Sequence, residues 1–341
     1  MATIASEDTT IERSGTSRKV VIKVKIAIII LVVILCAVLA AGLFAGSKLY
    51  DIALNPGSDK SAVFGSIQSS NEVSGTTGES KADIDAWWAQ SGYQEEYLQS
   101  SDGLKLHAYA LRQSEPGSRW VISVHGYMGY ADQMVSFARQ FYEQGYSVLM
   151  PNLRGHGKSE GGYIGMGWHD RLDIKAWIGR ILETEPEAGI ALFGVSMGGA
   201  AVMMTSGEEL PGNVFAVVED CGYTSAWDEF SFQMKALFGL PSFPLMNFAS
   251  LITRVNAGYF LEEASAVSQL KKTKMPVLFI HGEDDSFVPF SMLNHVYEAA
   301  AGEKEMYSVP GAKHGQAAMI AGDEYWARVF DFLTRHWEVQ Y

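Results

Sequence analysis

"ALFGVSMGGAAV", residues 191–202, opens apolar, breaks on Gly194-Val195-Ser196-Met197-Gly198 and continues in small residues. The apolar opening reads as a buried strand and the small-residue continuation as a helix that can lie close to a sheet. A serine at such a junction has two readings. It caps the helix that begins at Met197, or it is held outward on a sharp turn from which the flanking glycines remove colliding side chains. The bare G-x-S-x-G pattern carries little weight in a chain with 34 glycines among 341 residues. Its meaning depends on what surrounds it.

Outward from this stretch, strand and helix signals alternate. "RWVISVHG", "YSVLMP", "GIALFGVS", "VFAVVEDCG", "MPVLFIHG" and "KEMYSVPG" read as strands. Between them "ADQMVSFARQFYEQG", "DIKAWIGRILE", "MGGAAVMMTSG" and "PFSMLNHVYEAAAG" read as helices, and "DEYWARVFDFLTRHW" closes the chain. That alternation predicts an α/β fold with a mostly parallel central sheet and helices on both faces. Ahead of it, "EEYLQS" and "LKLHAYAL" flank Ser101-Asp102-Gly103, a hairpin signal that adds an antiparallel edge. Residues 222–270 break the alternation with apolar, mostly helical sequence and a "GLPSFP" interruption. An insertion of this length suggests a small helical cap over the C-terminal strand ends, where open α/β sheets bind ligands.

In the strand-to-helix context the serine motif matches a nucleophile elbow. Ser196 then stands at a helix N-terminus, where the N–H of Met197 and the helix dipole favour negative charge. A serine nucleophile needs a base. Of the eight histidines, His314 in "PGAKHGQA" follows the last strand and lies downstream of candidate acids. His125 and His281 close strands, where each can bond within its own turn; His156 in "RGHGKS" is a possible ligand contact. The acid should also sit at a strand end. "HGEDDSFVP" offers Glu283, Asp284 and Asp285, and Asp220 in "VVEDCG" is a rival. An oxyanion hole requires preorganised donors, and the backbone N–H groups of Tyr127, in "SVHGYMGY", and Met197 are placed to supply two. No second cluster with ligand spacing accompanies the acids, so no metal is expected.

The N-terminus carries a separate signal. "IAIIILVVILCAVLAAGLFAG", residues 26–46, holds no charge and is long enough to span a hydrocarbon core of about 30 Å. Arg13, Arg18, Lys19, Lys23 and Lys25 precede it, and Lys48 alone follows closely. The positive-inside rule predicts a cytoplasmic tail (1–25), a single-pass anchor (26–46) in the cell membrane and an extracytoplasmic body. The alternative is a secreted protein, cut from a signal peptide near Ala45-Gly46-Ser47; the length of the run favours the anchor. Residues 47–94 read as a spacer, with the Ser/Gly/Thr-rich "SSNEVSGTTGES", and an edge helix around "IDAWWAQSGY". The formal net charge is −13, and the first 25 residues hold 5 basic against 3 acidic groups, so the remainder carries −15. A body that acidic argues against nucleic acid as a partner. The two cysteines, Cys36 and Cys221, offer no disulfide framework.

Taken in order, "HGYMG", "PNLRGHGKSEG", "GVSMGG", "HGEDDSFVP" and "AKHG" make residues 95–341 resemble an α/β-hydrolase. With the anchor, the acidic body and "SDGLKLHAY", the chain is similar to membrane-anchored hydrolases of Gram-positive bacteria. The resemblance implies Ser196 as nucleophile, Asp285 as acid, His314 as base, and Tyr127 and Met197 as oxyanion donors. It also implies a cap after the sixth strand, matching 222–270. The expected activity is cleavage of a small-molecule acyl substrate, foremost a carboxylic ester, outside the cytoplasm through an acyl-enzyme and without a cofactor. Peptidase or thioesterase chemistry on the same fold is the alternative, and a non-catalytic surface-binding module is a further one.

Overall fold

The computed structural model describes residues 8–60, 80–114 and 119–340. An eight-stranded sheet runs through the body in the order β1-β2-β4-β3-β5-β6-β7-β8. β1 (Gln94–Gln99) and β2 (Lys105–Leu111) form the expected hairpin, with Gln99 opposite Lys105. β2 is antiparallel to β4 (Tyr146–Pro151). From there β3 (Arg119–Val124), β5 (Gly189–Val195), β6 (Val214–Asp220), β7 (Val277–Gly282) and β8 (Lys304–Val309) pair in parallel. β4 to β7 are buried at every residue, which is why they read as continuous apolar runs rather than alternating ones.

Two helical layers cover the sheet. α4 (Asp170–Thr184), α5 (Met197–Ser206) and α9 (Ser291–Ala299) lie over one apolar cluster that holds Trp120, Trp177, Leu192 and Phe279. α3 (Val135–Glu143) and α11 (Asp323–Gln340) cover the other, where Phe137, Phe141, Phe193 and Trp326 meet edge to face or tilted. α5 is buried at all ten residues, which its Gly and Ala content permits. The short α10 (Ala317–Ala321) precedes α11. At the hairpin edge, α2 (Lys81–Gln90) stacks Trp88 on Tyr93 at 4.1 Å and sets Trp87 against Tyr142 at 6.1 Å. The tryptophan pair therefore belongs to a helix covering the sheet edge.

Between β6 and β7 come α6 (Ala226–Phe238), α7 (Leu245–Ala257) and the one-turn α8 (Ala266–Leu270), with no strand beyond a single bridge between Ser225 and Ser265. Left-handed glycines, Gly239 (φ 64°) and Gly258 (φ 82°), end α6 and α7.

The N-terminal helix α1 spans Asp8–Leu54. By length and composition it could cross a membrane, with a mean hydropathy of 3.3 over its most apolar stretch, 6% of it buried. The expected start of a spacer at residue 47 is corrected here. Residues 47–54 stay helical, because Tyr50 and Leu54 bury themselves in the main apolar core. Gly42 and Gly46 sit so close to Phe248 of α7 that a Cβ on either would collide with it. The bulk of the Ser/Gly/Thr-rich stretch expected as spacer lies outside the described residues, as does the start of the tail.

Candidate active site

The turn after β5 puts Ser196 at φ 59°, ψ −121°, a conformation costly for any residue with a Cβ. The two glycines make the turn possible in space. A Cβ on Gly194 would fall on the Gly198 carbonyl, and one on Gly198 on the carbonyl of Val124. The Ser196 N–H is tied to Asp220 O at 2.8 Å, which fixes the turn to the neighbouring strand. The hydroxyl makes no capping bond to α5. It faces His314 instead, with 2.8 Å between Oγ and Nε2.

His314 lies in the loop between β8 and α10. Its Nδ1 is 2.7 Å from Asp285 Oδ2. Because a carboxylate can only accept, Nδ1 carries the proton and Nε2 is left to accept from the serine. Asp285 is the buried member of its acidic triplet, whereas Glu283 and Asp284 face solvent. Its Oδ1 accepts from the N–H groups of Phe287 (2.9 Å) and Val288 (3.0 Å). Burial alone would raise this acid; the charge of His314 and the bonds from His281 and His314 outweigh it and hold Asp285 at about 2. The rival Asp220 is engaged elsewhere, accepting from Tyr325 Oη at 2.9 Å.

His281, expected to bond within its own turn, does more. Its Nε2 faces both Val288 O at 3.0 Å and Asp285 Oδ2 at 3.2 Å. The signal available in the sequence is its i, i+4 spacing from Asp285 across a tight turn. His125 braces the opposite loop, with Nδ1 2.8 Å from Gly126 O and Nε2 accepting from Leu153 N at 3.1 Å. Burial, then the neighbouring His156, lowers His125 to about 3, so it stays neutral in that role. His156 is buried against Arg154 O at 3.0 Å and does not line the pocket beside Ser196, which corrects the ligand contact expected of it. Arg154 of the same loop is clamped by Asp173 (2.8 Å) and Asp102 (2.9 Å) and holds that loop to α4 and the hairpin turn.

The loop after β3 backs onto the nucleophile. A Cβ on Gly126 would lie 3.3 Å from Ser196 Cβ and 3.7 Å from its Oγ. Tyr127 and Ser196 line one small pocket with Met166, Tyr223, Glu229, Phe230, Gln233, Phe287 and Val288. Met197 opens α5, so its N–H has no acceptor within the helix. Tyr127 donates its hydroxyl to Ala53 O of α1 at 2.6 Å.

Residues 116–238 match the family model described as "Serine aminopeptidase, S33". The chain is 26% identical over 214 residues to the uncharacterized protein YqkD of Bacillus subtilis, covering 62% of this chain and 70% of that one. It is 27% identical over 253 residues to protein bem46 of Schizosaccharomyces pombe, covering 72% and 77%. Among solved structures, the esterase Pf2001 of Pyrococcus furiosus superposes with a TM-score of 0.60 at 22% identity, covering 76% of this chain and 95% of the esterase. The fold is that of the α/β-hydrolases. Fold and relatives indicate a serine-hydrolase-type enzyme that cleaves acyl bonds. In such an enzyme the arrangement around Ser196 has the parts that acyl transfer needs: a nucleophile, a base within hydrogen-bond reach and an acid that orients the base.

Proposed function

We propose that this protein is a membrane-anchored carboxylesterase in which Ser196 attacks the substrate carbonyl, His314 takes the serine proton and Asp285 fixes the imidazole. The observation that carries this reading is the position of His314, 2.8 Å from the serine oxygen and 2.7 Å from the aspartate. The N–H groups of Tyr127 and Met197 receive the oxyanion. His314 then protonates the leaving alcohol, and water activated by the same base releases the acyl group. α6 and α7 form the cap over this site. α1 is the anchor, and the contact of Gly42 and Gly46 with Phe248 supports an uncleaved helix, since a cut near Ser47 would remove both glycines. The charge flanks favour an extracytoplasmic body.

A fluorophosphonate probe on the full chain tests the reading. Labelling of the wild type and none of Ser196→Ala is expected; equal labelling of both overturns it. The serine aminopeptidase description of the matched family keeps peptide bonds in view. Parallel assays with p-nitrophenyl esters and aminoacyl p-nitroanilides decide between ester and amide. A reporter fused after Tyr341 that is active only in the cytoplasm would reverse the topology.

A further inference from the structure

A second cavity lies between the end of α1 and the helices α6 and α7, with about 500 Å³ of space including its mouth. Leu49, Ile52 and Ala53 form one wall, and Leu237, Met246 and Ala249 face them. Phe230 and Gln233 line both this cavity and the pocket that holds Ser196, so two side chains stand between the two spaces. Two polar groups in the wall are already engaged. Gln233 Nε2 donates to Glu229 Oε1 and to Phe287 O, both at 2.9 Å, and Thr253 Oγ1 donates to Ala249 O at 2.9 Å. The rest of the lining is mostly hydrocarbon, which suits an apolar occupant.

The surroundings point the same way. The α6–α7 turn exposes Leu237, Phe238, Leu240 and Phe243, the last 77% accessible. α7 lies against α1 at Gly42 and Gly46, the end of the apolar run, so these side chains sit beside the segment read as membrane-spanning. Apolar side chains there gain free energy by entering the acyl boundary of a bilayer.

We infer that this cavity holds the acyl chain of the substrate, and that the substrate is a long-chain carboxylic ester drawn from the membrane between α1 and the α6–α7 pair. This deepens the esterase reading and rests on it. The chain passes Phe230 and Gln233 to place its ester carbonyl at Ser196. Each further methylene buried should tighten binding about fourfold, so the preference should climb steeply with chain length.

The test uses the full chain in nanodiscs with two fluorophosphonates, one carrying an ethyl and one a decyl chain. The decyl probe is expected to label Ser196 at least tenfold faster. Ala249→Phe and Ala53→Phe, on opposite walls, should each lower the decyl-to-ethyl ratio at least tenfold. Equal labelling by both probes in the wild type overturns the inference, as does an unchanged ratio in both variants. If neither probe labels the wild type, the esterase reading beneath the inference fails instead.

Discussion

His281 Nε2 lies 3.2 Å from Asp285 Oδ2, the same oxygen that holds His314 at 2.7 Å. One carboxylate oxygen therefore serves two imidazoles, and the second points back into the turn at Val288 O. His281 is a positioning residue: it fixes Asp285, which fixes His314. Asp285→Asn should cost about 10⁴-fold in kcat by inverting the tautomer preference of His314. His281→Asn should cost about 10- to 100-fold, the range seen when an outer partner of an orienting group is lost. Steady-state kinetics on a soluble ester checks both. A His281→Asn enzyme at wild-type kcat would show that Asp285 is held by its backbone donors alone.

The elbow predicts its own fragility. A Cβ at Gly194 meets the Gly198 carbonyl, which is backbone and cannot swing aside. Gly194→Ala should destabilise the fold by about 1–3 kcal/mol, the usual cost of overpacking, and slow Ser196 labelling as the turn shifts. Urea unfolding of variant and wild type measures the first effect; an unchanged midpoint would mean the turn relaxes freely.

Much of this architecture is legible in the sequence. The parallel strands announce themselves as unbroken apolar runs because both faces of the sheet are covered. The positions of Ser196, Asp285 and His314 follow from where glycine-bounded loops end those strands. Two things are not legible. Spacing alone does not rank Asp220 against Asp285, because both end strands that point the same way; Tyr325, more than a hundred residues downstream, is what occupies Asp220. The docking of residues 47–54 is also hidden. Their apolar side chains look like the fading end of a membrane helix until α7 supplies a partner.

Glu229 gives the site a pH dependence. It lines the pocket beside Ser196, with one oxygen bonded to Gln233. Burial pushes its carboxyl up to about 8, against the Gln233 bond and with the Asp285 charge adding to the rise. It is neutral at pH 7 and becomes an anion as pH passes about 8. A negative charge there opposes the developing oxyanion, so kcat/KM should fall on the alkaline side. Glu229→Gln should keep its rate through that range. An identical alkaline limb in the variant would assign the titration to another group.

Stability should carry a matching signature. Burial raises Glu219 to about 8, against the His281 charge and the Gly222 N–H that it accepts at 2.8 Å, and raises Asp220 to about 6 despite the Tyr325 bond. Both acids hold their protons in the folded state after the unfolded chain has lost them. Stability is thus full below the unfolded carboxylate range and drains as pH rises toward 8. Each such acid removes about 1.4 kcal/mol per pH unit while it is protonated in the folded chain alone. Tm should decline from pH 7 to pH 8, above the range in which unfolded histidines titrate, and Glu219→Gln should flatten the decline. A Tm that climbs across this window in the wild type would contradict the sign.

Tyr127 joins the loop after β3 to α1 through its hydroxyl, 2.6 Å from Ala53 O, and burial raises that phenol far above its ordinary range. The bond is internal to the body only if α1 remains attached. Tyr127→Phe leaves the Ala53 carbonyl without this donor and should cost about 1–2 kcal/mol. Removing residues 1–54 takes away that acceptor together with Tyr50, Leu54 and the two glycines under Phe248, so the loss should exceed that of the point variant. Thermal unfolding of the three proteins gives the order. If the truncated body melts with the wild type, the end of α1 is a tether lying on the surface. If it melts below Tyr127→Phe, the last two turns of α1 are an integral part of the folded body and form one of its walls.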